Sequence, residues 1–324
     1  MRAILCKQYG PAEVLELGDY AKPKPKKGSL VIKVHAAEVT KGDCELRSFT
    51  FPVKWFSYPL RLAFGIFRPR NPILGGYFAG VVESVGEGVA AFTPGERVFG
   101  SSGVGMGAYA EYLSVSQRAG IAQIPENLNF EEAASVPLGG LNALHFCKQA
   151  NIKTGDKVLI NGAGGSIGMY ALQISKAYGA QVTAVDAPHK QAAILASGAD
   201  DFIDYTKQPY TSLSRKWDVI IDMVASSDLE SSLACLEAGG RYASANPTFK
   251  KLASAKKAFK RTGKKVIVSF AAESKEALNE LANLLRAGEI STAVDQVFPM
   301  AKIVEAHKRV EMEARTGCVV VKIA

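Results

Sequence analysis

The sequence predicts an α/β protein in which a doubly wound parallel sheet is inserted into a discontinuous, partly closed β-barrel domain. Three observations carry this expectation. The chain of 324 residues with 48% hydrophobic content exceeds the usual single-domain size and can fill two cores. Its first third is a series of short β-branched or aromatic runs between Gly/Pro turns, which is the pattern of antiparallel strands. From Asn129 onward, strands and helices alternate, as in a parallel sheet covered by helices on both faces.

In the first third, strands are predicted over 3–6, 30–36, 79–85, 97–99 and 108–115, separated by turns that include 22–28 and 93–96. Helices follow at 130–135 and 139–150, then a strand at 157–160, a helix at 166–178, a strand at 181–185 and a helix at 190–197. Strands at 201–203 and 219–223, a helix at 229–236, and strands at 240–244 and 266–270 complete the alternating region. The tail returns to a mixed pattern: a helix at 275–287, an extended run at 294–298, a helix at 301–312 and a closing strand at 318–323. The predicted boundaries are 1–122 with 272–324 for the barrel domain and 123–271 for the inserted one. A ligand cleft is expected over the carboxyl ends of the parallel strands, between the two domains.

The segment that most narrows function is VLINGAGGSIG at 158–168, a β-branched strand running into a glycine-rich turn and then a helix. Such a turn lets backbone N–H groups approach a pyrophosphate and points the positive end of a helix at it. Gly162, Ala163, Gly165, Ser166, Ile167 and Gly168 are therefore candidate dinucleotide-binding residues. Asp186 ends the next strand about 20 residues past the turn, where a carboxylate that binds ribose is expected. The competing reading is a tight strand–helix turn with no ligand.

The net charge of +8 equals the eight basic residues Lys250, Lys251, Lys256, Lys257, Lys260, Arg261, Lys264 and Lys265, which have no acid among them. The rest of the chain is formally neutral, so the patch is read as a solvated helix face, with attraction for an anionic surface or phosphate as the alternative. Only Phe249 and Phe259 accompany it, so nucleic-acid binding is not expected. Five cysteines, odd in number and without a CxxC pair, suit reduced thiols in a cytosol-like compartment and offer no readable disulfide framework or zinc knuckle. With no signal-like N-terminus and no long apolar run, a cytoplasmic protein is expected. In 51–70, Phe51, Trp55, Phe56, Tyr58, Phe64 and Phe67 interleave with Lys54, Arg61, Arg68 and Arg70. This stretch is read as an apolar lip of the substrate cleft, with a peripheral membrane contact as the sharper alternative.

Several strings taken in order are specific: YGPAEVL at 9–15, GDCELR at 42–47, FAGVV at 78–82, GERVFG at 95–100, GAYAEY at 107–112, EEAA at 131–134, the glycine turn, GAD at 198–200, IDY at 203–205 and GGR at 239–241. Through them the chain resembles the medium-chain dehydrogenase/reductase superfamily, and within it the zinc-free quinone oxidoreductase branch that includes ζ-crystallin. The resemblance spans nearly the whole length. It implies a Rossmann-type sheet inserted into a GroES-like barrel, and a homodimer joined through the edge strand of the nucleotide domain.

It also places Ala163, Gly165 and Gly168 in the branch's A-x-G-x-x-G turn and adds Val224, Asn142, Asn246, Phe270 and Ala272 as nicotinamide-side contacts. No metal is expected, because the zinc-ligand positions of related alcohol dehydrogenases fall on Thr40, Gly76 and Leu138. Cys44 is read as a packing thiol, with a reactive thiol as the alternative. Lys190 and Tyr205 occupy positions that hold a 2′-phosphate in NADPH-dependent relatives, whereas Asp186 favours NADH, so the cofactor is left as NAD(P)H.

Without a metal, a site best reduces substrates that spread the developing charge, such as quinones and enones. Candidate hydrogen-bond donors are Thr40, Lys41, Tyr58 and Tyr77. Tyr77 stands in GGYFAG at 75–80, where relatives commonly carry an acid. A small apolar electrophile is the expected substrate. A zinc-free alcohol or aldehyde dehydrogenase, and a cofactor-binding structural protein without turnover, remain open alternatives.

Overall fold

The computed structural model describes residues 1–51, 57–246, 249–269 and 271–324, with the backbone alone for 249–253 and 256. It opens with strands β1 (Arg2–Cys6), β2 (Leu15–Asp19) and β3 (Ser29–Val39), then helices α1 (Lys41–Ser48) and α2 (Ser57–Phe64). Strands β4 (Tyr77–Val85), β5 (Arg97–Ser101), β6 (Tyr112–Ser116) and β7 (Ile121–Gln123) lead to helices α3 (Phe130–Ala134) and α4 (Val136–Gln149). The alternating region is β8 (Lys157–Asn161), α5 (Ser166–Ala177), β9 (Gln181–Asp186), α6 (Gln191–Ala196), β10 (Asp201–Asp204), β11 (Trp217–Asp222), α7 (Leu229–Ala234), β12 (Leu236–Ser244), α8 (Phe249–Thr262) and β13 (Lys265–Val268). The tail is α9 (Lys275–Ala287), β14 (Val294–Pro299), α10 (Ile303–Glu311) and β15 (Cys318–Lys322).

The chain divides into two compact units. One comprises Met1–Leu138, Glu273–Arg286 and Thr292–Ala324; the other comprises Gly139–Ala272 and Ala287–Ser291.

The first unit is the GroES-like barrel. Its main sheet has the order β14-β15-β3-β4-β5-β7, with β6 also pairing β3. The C-terminal strand β15 lies antiparallel on β3, Val320 opposite Glu38 and Val321 opposite Ala37, so the tail completes a sheet begun by the N-terminal residues. The buried side chains Ile32, Val34, Phe78, Tyr109, Val319 and Val321 belong to one core. That shared burial is what holds the two sequence-distant halves together.

The second unit is the Rossmann-type sheet, with all pairings parallel and the order β10-β9-β8-β11-β12-β13. Val158, Leu159, Ile160, Val182, Ala184, Val219, Ile220 and Ile221 are all buried, the unbroken apolar runs expected of strands covered on both faces. Strand order reverses between β8 and β11, and the carboxyl ends at such a switch point are where open α/β sheets bind ligands.

Several elements differ from the sequence expectation. Residues 41–48, to which the sequence expectation assigns no element, form α1. The cause is a capping box in which the Thr40 side chain and the Asp43 backbone, and the Asp43 side chain and the Thr40 backbone, bond reciprocally. The strand predicted from 108 starts at Tyr112, because the Ala108 and Tyr109 N–H groups donate to Gly75 and Leu74 carbonyls. The helix predicted to end at 236 stops at Ala234, and Leu236 joins β12 opposite Trp217. Strands β2 and β7 were not anticipated. Among the described residues no helix is long and apolar enough to cross a membrane.

Candidate active site

At the end of β8 the chain turns through Gly162, whose φ of +84° is a left-handed conformation that side chains disfavour. A Cβ on Gly168 would lie 2.2 Å from the Gly162 carbonyl oxygen, so this glycine lets the first turn of α5 pack directly on the loop. Gly165 is the N-cap of α5 and supplies no side-chain cap to its first-turn N–H groups. A Cβ there would meet only the Gly162 oxygen, at 3.5 Å. Ala163 and Ser166 are buried in the turn, while Ile167 is half-buried. These residues fit a dinucleotide pyrophosphate: the helix starts on a glycine whose lack of a side chain lets a ligand approach its positive end.

Asp186, at the carboxyl end of β9, is drawn into this turn. Its Oδ2 accepts from Gly164 N–H at 2.7 Å, and its Oδ1 accepts from Ala187 N–H at 2.8 Å. Lys190 Nζ lies 3.2 Å from Oδ1, and both side chains of this pair are less than a tenth exposed. The Tyr205 N–H donates to the Asp186 carbonyl at 3.4 Å, and its ring is 56% exposed. The structure thus gathers Asp186, Lys190 and Tyr205 beside the glycine turn.

The carboxyl ends of β8, β11 and β12 are joined by a residue that sequence reasoning did not single out. Asp222 is fully buried; its Oδ1 accepts from Asn161 Nδ2, Ser227 Oγ and Val224 N–H, each at 3.0 Å, and its Oδ2 accepts from the Tyr242 hydroxyl at 2.6 Å. This network fixes the loop bearing Val224, whose Cγ2 lies 3.4 Å from where a Gly162 Cβ would stand. Asn246 donates from Nδ2 to the Met223 carbonyl at 3.0 Å, tying its own loop to the same place. Asn142 is half-buried on α4, Ala272 is exposed at the end of the second unit, and Phe270 lies outside the described residues. The lip residues Lys54, Trp55 and Phe56 lie outside them as well.

In the barrel unit, Asp43 is buried and accepts from Thr40 N–H at 2.9 Å, Thr40 Oγ1 at 2.7 Å, Tyr109 OH at 3.0 Å and Gly75 N–H at 3.2 Å. Burial pushes its carboxyl pKa up, opposed by these hydrogen bonds. The one proton of the Thr40 hydroxyl therefore goes to Asp43, while its oxygen accepts from Asp43 N–H at 3.0 Å. Lys41 pairs with Glu313. Tyr58, on α2, is 80% exposed and lies near Leu62 on the same helix, itself 65% exposed.

Tyr77 is half-buried at the start of β4, and its hydroxyl donates to Glu273 Oε1 at 2.7 Å. The other carboxylate oxygen accepts from Ser101 Oγ at 2.5 Å, and Ser101 Oγ in turn accepts from Gly103 N–H at 2.9 Å. Burial, and next the Glu273 carboxylate, hold the phenol pKa well above its usual range. Glu273 was not a candidate from sequence. It stands 196 residues from Tyr77, and no local pattern marks it.

Cys44 is buried and directs its thiol at His307 Nδ1, 3.3 Å away. Burial raises the thiol pKa, which makes it a poor nucleophile and fits the packing role. Among the described residues no three His, Cys, Asp or Glu side chains are grouped so as to hold a metal ion.

The family model described as alcohol dehydrogenase GroES-like domain matches residues 26–126, and the one described as zinc-binding dehydrogenase matches residues 197–321. The human quinone oxidoreductase is 30% identical over 323 residues, covering 96% of this chain and 94% of its own length. A 2-methylene-furan-3-one reductase of Solanum lycopersicum is 29% identical, covering 99% of this chain and 79% of its own. Among solved structures, the quinone oxidoreductase from Coxiella burnetii superimposes with a TM-score of 0.87 at 30% identity, covering 100% of this chain and 99% of that one.

Proposed function

The chain belongs to the quinone oxidoreductase branch of the medium-chain dehydrogenase/reductase superfamily, and from that premise we propose that it transfers hydride from NADH or NADPH to quinones or α,β-unsaturated carbonyls without a catalytic zinc. The observation that carries the cofactor half is the glycine N-cap of α5, Gly165, behind a left-handed Gly162. When bound there, a reduced nicotinamide supplies the hydride.

The chain's own residues do the rest. The glycine turn binds the pyrophosphate through backbone N–H groups, and Asp186, Lys190 and Tyr205 face the adenosine ribose. Val224, held by Asp222, and Asn246, bonded to the Met223 carbonyl, support the nicotinamide side together with Asn142, Phe270 and Ala272. Thr40, Gly76 and Leu138 carry no imidazole or thiolate, so the residue types at the zinc-ligand positions support a metal-free reaction. Charge that develops on substrate oxygen then falls to hydrogen-bond donors. Tyr77 is the donor proposed here, its one proton resting on Glu273 Oε1 until a substrate oxygen competes for it, and Tyr58 and Lys41 are further candidates. Quinones and enones suit such a site because conjugation spreads the charge.

Five buried cysteines, none joined in a disulfide, support a reducing compartment and hence the cytoplasm. The domain limits 1–122 with 272–324 and 123–271 are the working division, and a homodimer is the proposed assembly.

The test is the fall in NADH and NADPH absorbance with a small ortho-quinone and with an alkenal, in the presence of a chelator. The Gly165→Asp variant is the blank. Its side chain has room, yet it sets a negative charge where the pyrophosphate binds. Turnover in the unmodified protein that is lost in the blank is expected. Silence with both cofactors, or metal-free oxidation of simple alcohols in place of quinone reduction, would overturn the proposal.

A further inference from the structure

We propose that the loop following α2 is a membrane-surface contact: Phe67 and its apolar neighbours enter the interface of an anionic phospholipid bilayer, and Arg68 and Arg70 bind its headgroups. The barrel unit leaves apolar surface in water at one place in particular. Twelve large hydrophobic side chains are exposed among the described residues, and four of them, Tyr58, Leu62, Ile66 and Phe67, fall within ten residues of sequence at 51% to 91% exposure. Tyr58 and Leu62 stand four apart on α2 and so share one face. Val104, 87% exposed, sits on the turn 103–105, which Asn71 Nδ2 ties to the end of this loop through the Gly105 carbonyl at 2.9 Å. Single exposed apolar residues are ordinary, but a cluster of them marks an interaction surface.

The loop is pinned in place. Gly65 has a φ of +127°, and a Cβ there would lie 2.0 Å from the Arg68 carbonyl oxygen, so the tight turn needs glycine. The Tyr9 hydroxyl donates to the Gly65 carbonyl at 2.7 Å, Arg61 donates to the Ile66 carbonyl, and the Arg70 N–H donates to the Phe64 carbonyl at 2.7 Å. The Arg61 guanidinium also lies over the Phe49 and Tyr9 rings, 3.9 and 4.9 Å from their centroids. These contacts fix the backbone on both sides of Phe67 while its ring stays in water.

Charge selects the occupant. Residues 46–82 hold five basic residues and no acid. Arg47 is taken by Glu311 and Arg61 by the two rings, whereas Arg68 and Arg70, on the same loop as Phe67, are exposed. A second copy of this chain would bring the same cations face to face. A nucleic-acid strand stacks on aromatic rings, and Leu62, Ile66 and Val104 have none. A bilayer interface takes protruding aliphatic and aromatic side chains without a shaped pocket, places tyrosine at headgroup level and, when anionic, attracts the two arginines.

The experiment sediments the full chain with vesicles of phosphatidylcholine alone and of an equal mixture with phosphatidylglycerol. Wild type should bind the mixed vesicles and not the neutral ones, with affinity falling as salt is raised. Arg68→Gln and Arg70→Gln should each weaken binding about fivefold, and Phe67→Ser about tenfold or more. Lys257→Gln/Lys260→Gln, on the basic helix α8, should bind as wild type. In Phe67→Trp, emission should move to the blue on vesicle addition and be quenched by bromine-labelled lipid well beyond the wild-type response, which insertion produces and headgroup adsorption does not. Every substituted side chain is exposed, and thermal unfolding checks that each variant is folded.

No binding to the mixed vesicles at low salt overturns the proposal, as does binding that the α8 substitutions abolish and the loop substitutions spare. Dimerisation that Phe67→Ser abolishes, in a protein that ignores vesicles, assigns the patch to a second copy and overturns it too. Quinone and enone turnover, measured without lipid, is untouched by any of these outcomes.

Discussion

At the scale of single residues, Asp186 and Lys190 decide how the cofactor choice can be tested. A lone carboxylate at the end of β9 would repel a 2′-phosphate, and a lone lysine beside it would attract one. The structure pairs them at 3.2 Å, out of water, with the carboxylate also bonded to Gly164 and Ala187. Replacing Asp186 by Ser strands the Lys190 ammonium next to the turn. The ratio of kcat/KM for NADPH over NADH is expected to rise by about tenfold or more, with some loss of thermal stability because a buried charge has lost its partner. An unchanged ratio in steady-state kinetics would mean that this carboxylate serves the turn and not the ribose.

At the scale of elements, α1 and α10 are joined by a buried polar cluster. Arg47 of α1 is 1% exposed and pairs with Glu311, while Cys44 of the same helix meets His307. His307 Nε2 has no hydrogen-bond partner among the described residues. Burial, and next the Arg47 guanidinium, lower the imidazole pKa to about 3. The sign follows from linkage: an unfolded imidazole takes a proton near pH 6.5 and the folded one does not. The stability that His307 contributes is therefore complete above that pH and is lost as pH falls toward the folded value. Between pH 7 and 5 the loss is about 2 kcal/mol. In urea unfolding at pH 7 and pH 5, the difference between wild type and His307→Gln should narrow by that amount. Parallel changes in the two proteins would show that the imidazole does not titrate differently on folding.

At the scale of the whole molecule, the six-stranded sheet ends in two edges, β10 and β13. An unpaired edge is a template for another strand, and the proposed homodimer would cover one of them. Light scattering is expected to give twice the 34.6 kDa chain mass. In hydrogen exchange, the outward amides of β13 should be protected in the dimer and exchange freely on dilution to monomer. A monomer at all concentrations would remove this assembly.

The alternating strand–helix order, the glycine turn and Asp186 were legible in the sequence because each is a local pattern: period, turn chemistry and fixed spacing. The helix at 275–287 matched its predicted limits because its apolar positions recur at helical spacing. The capping box that makes α1 is also written locally, as Thr40 three residues before Asp43. What only the tertiary structure decided is where polar side chains spend their hydrogen bonds. Thr40 gives its proton to Asp43, and Asp186 turns into the glycine loop. Tyr77 meets Glu273 across 196 residues of chain. Local patterns fix backbone conformation, whereas the partner of a side chain depends on which distant segments the shared core brings within hydrogen-bond reach.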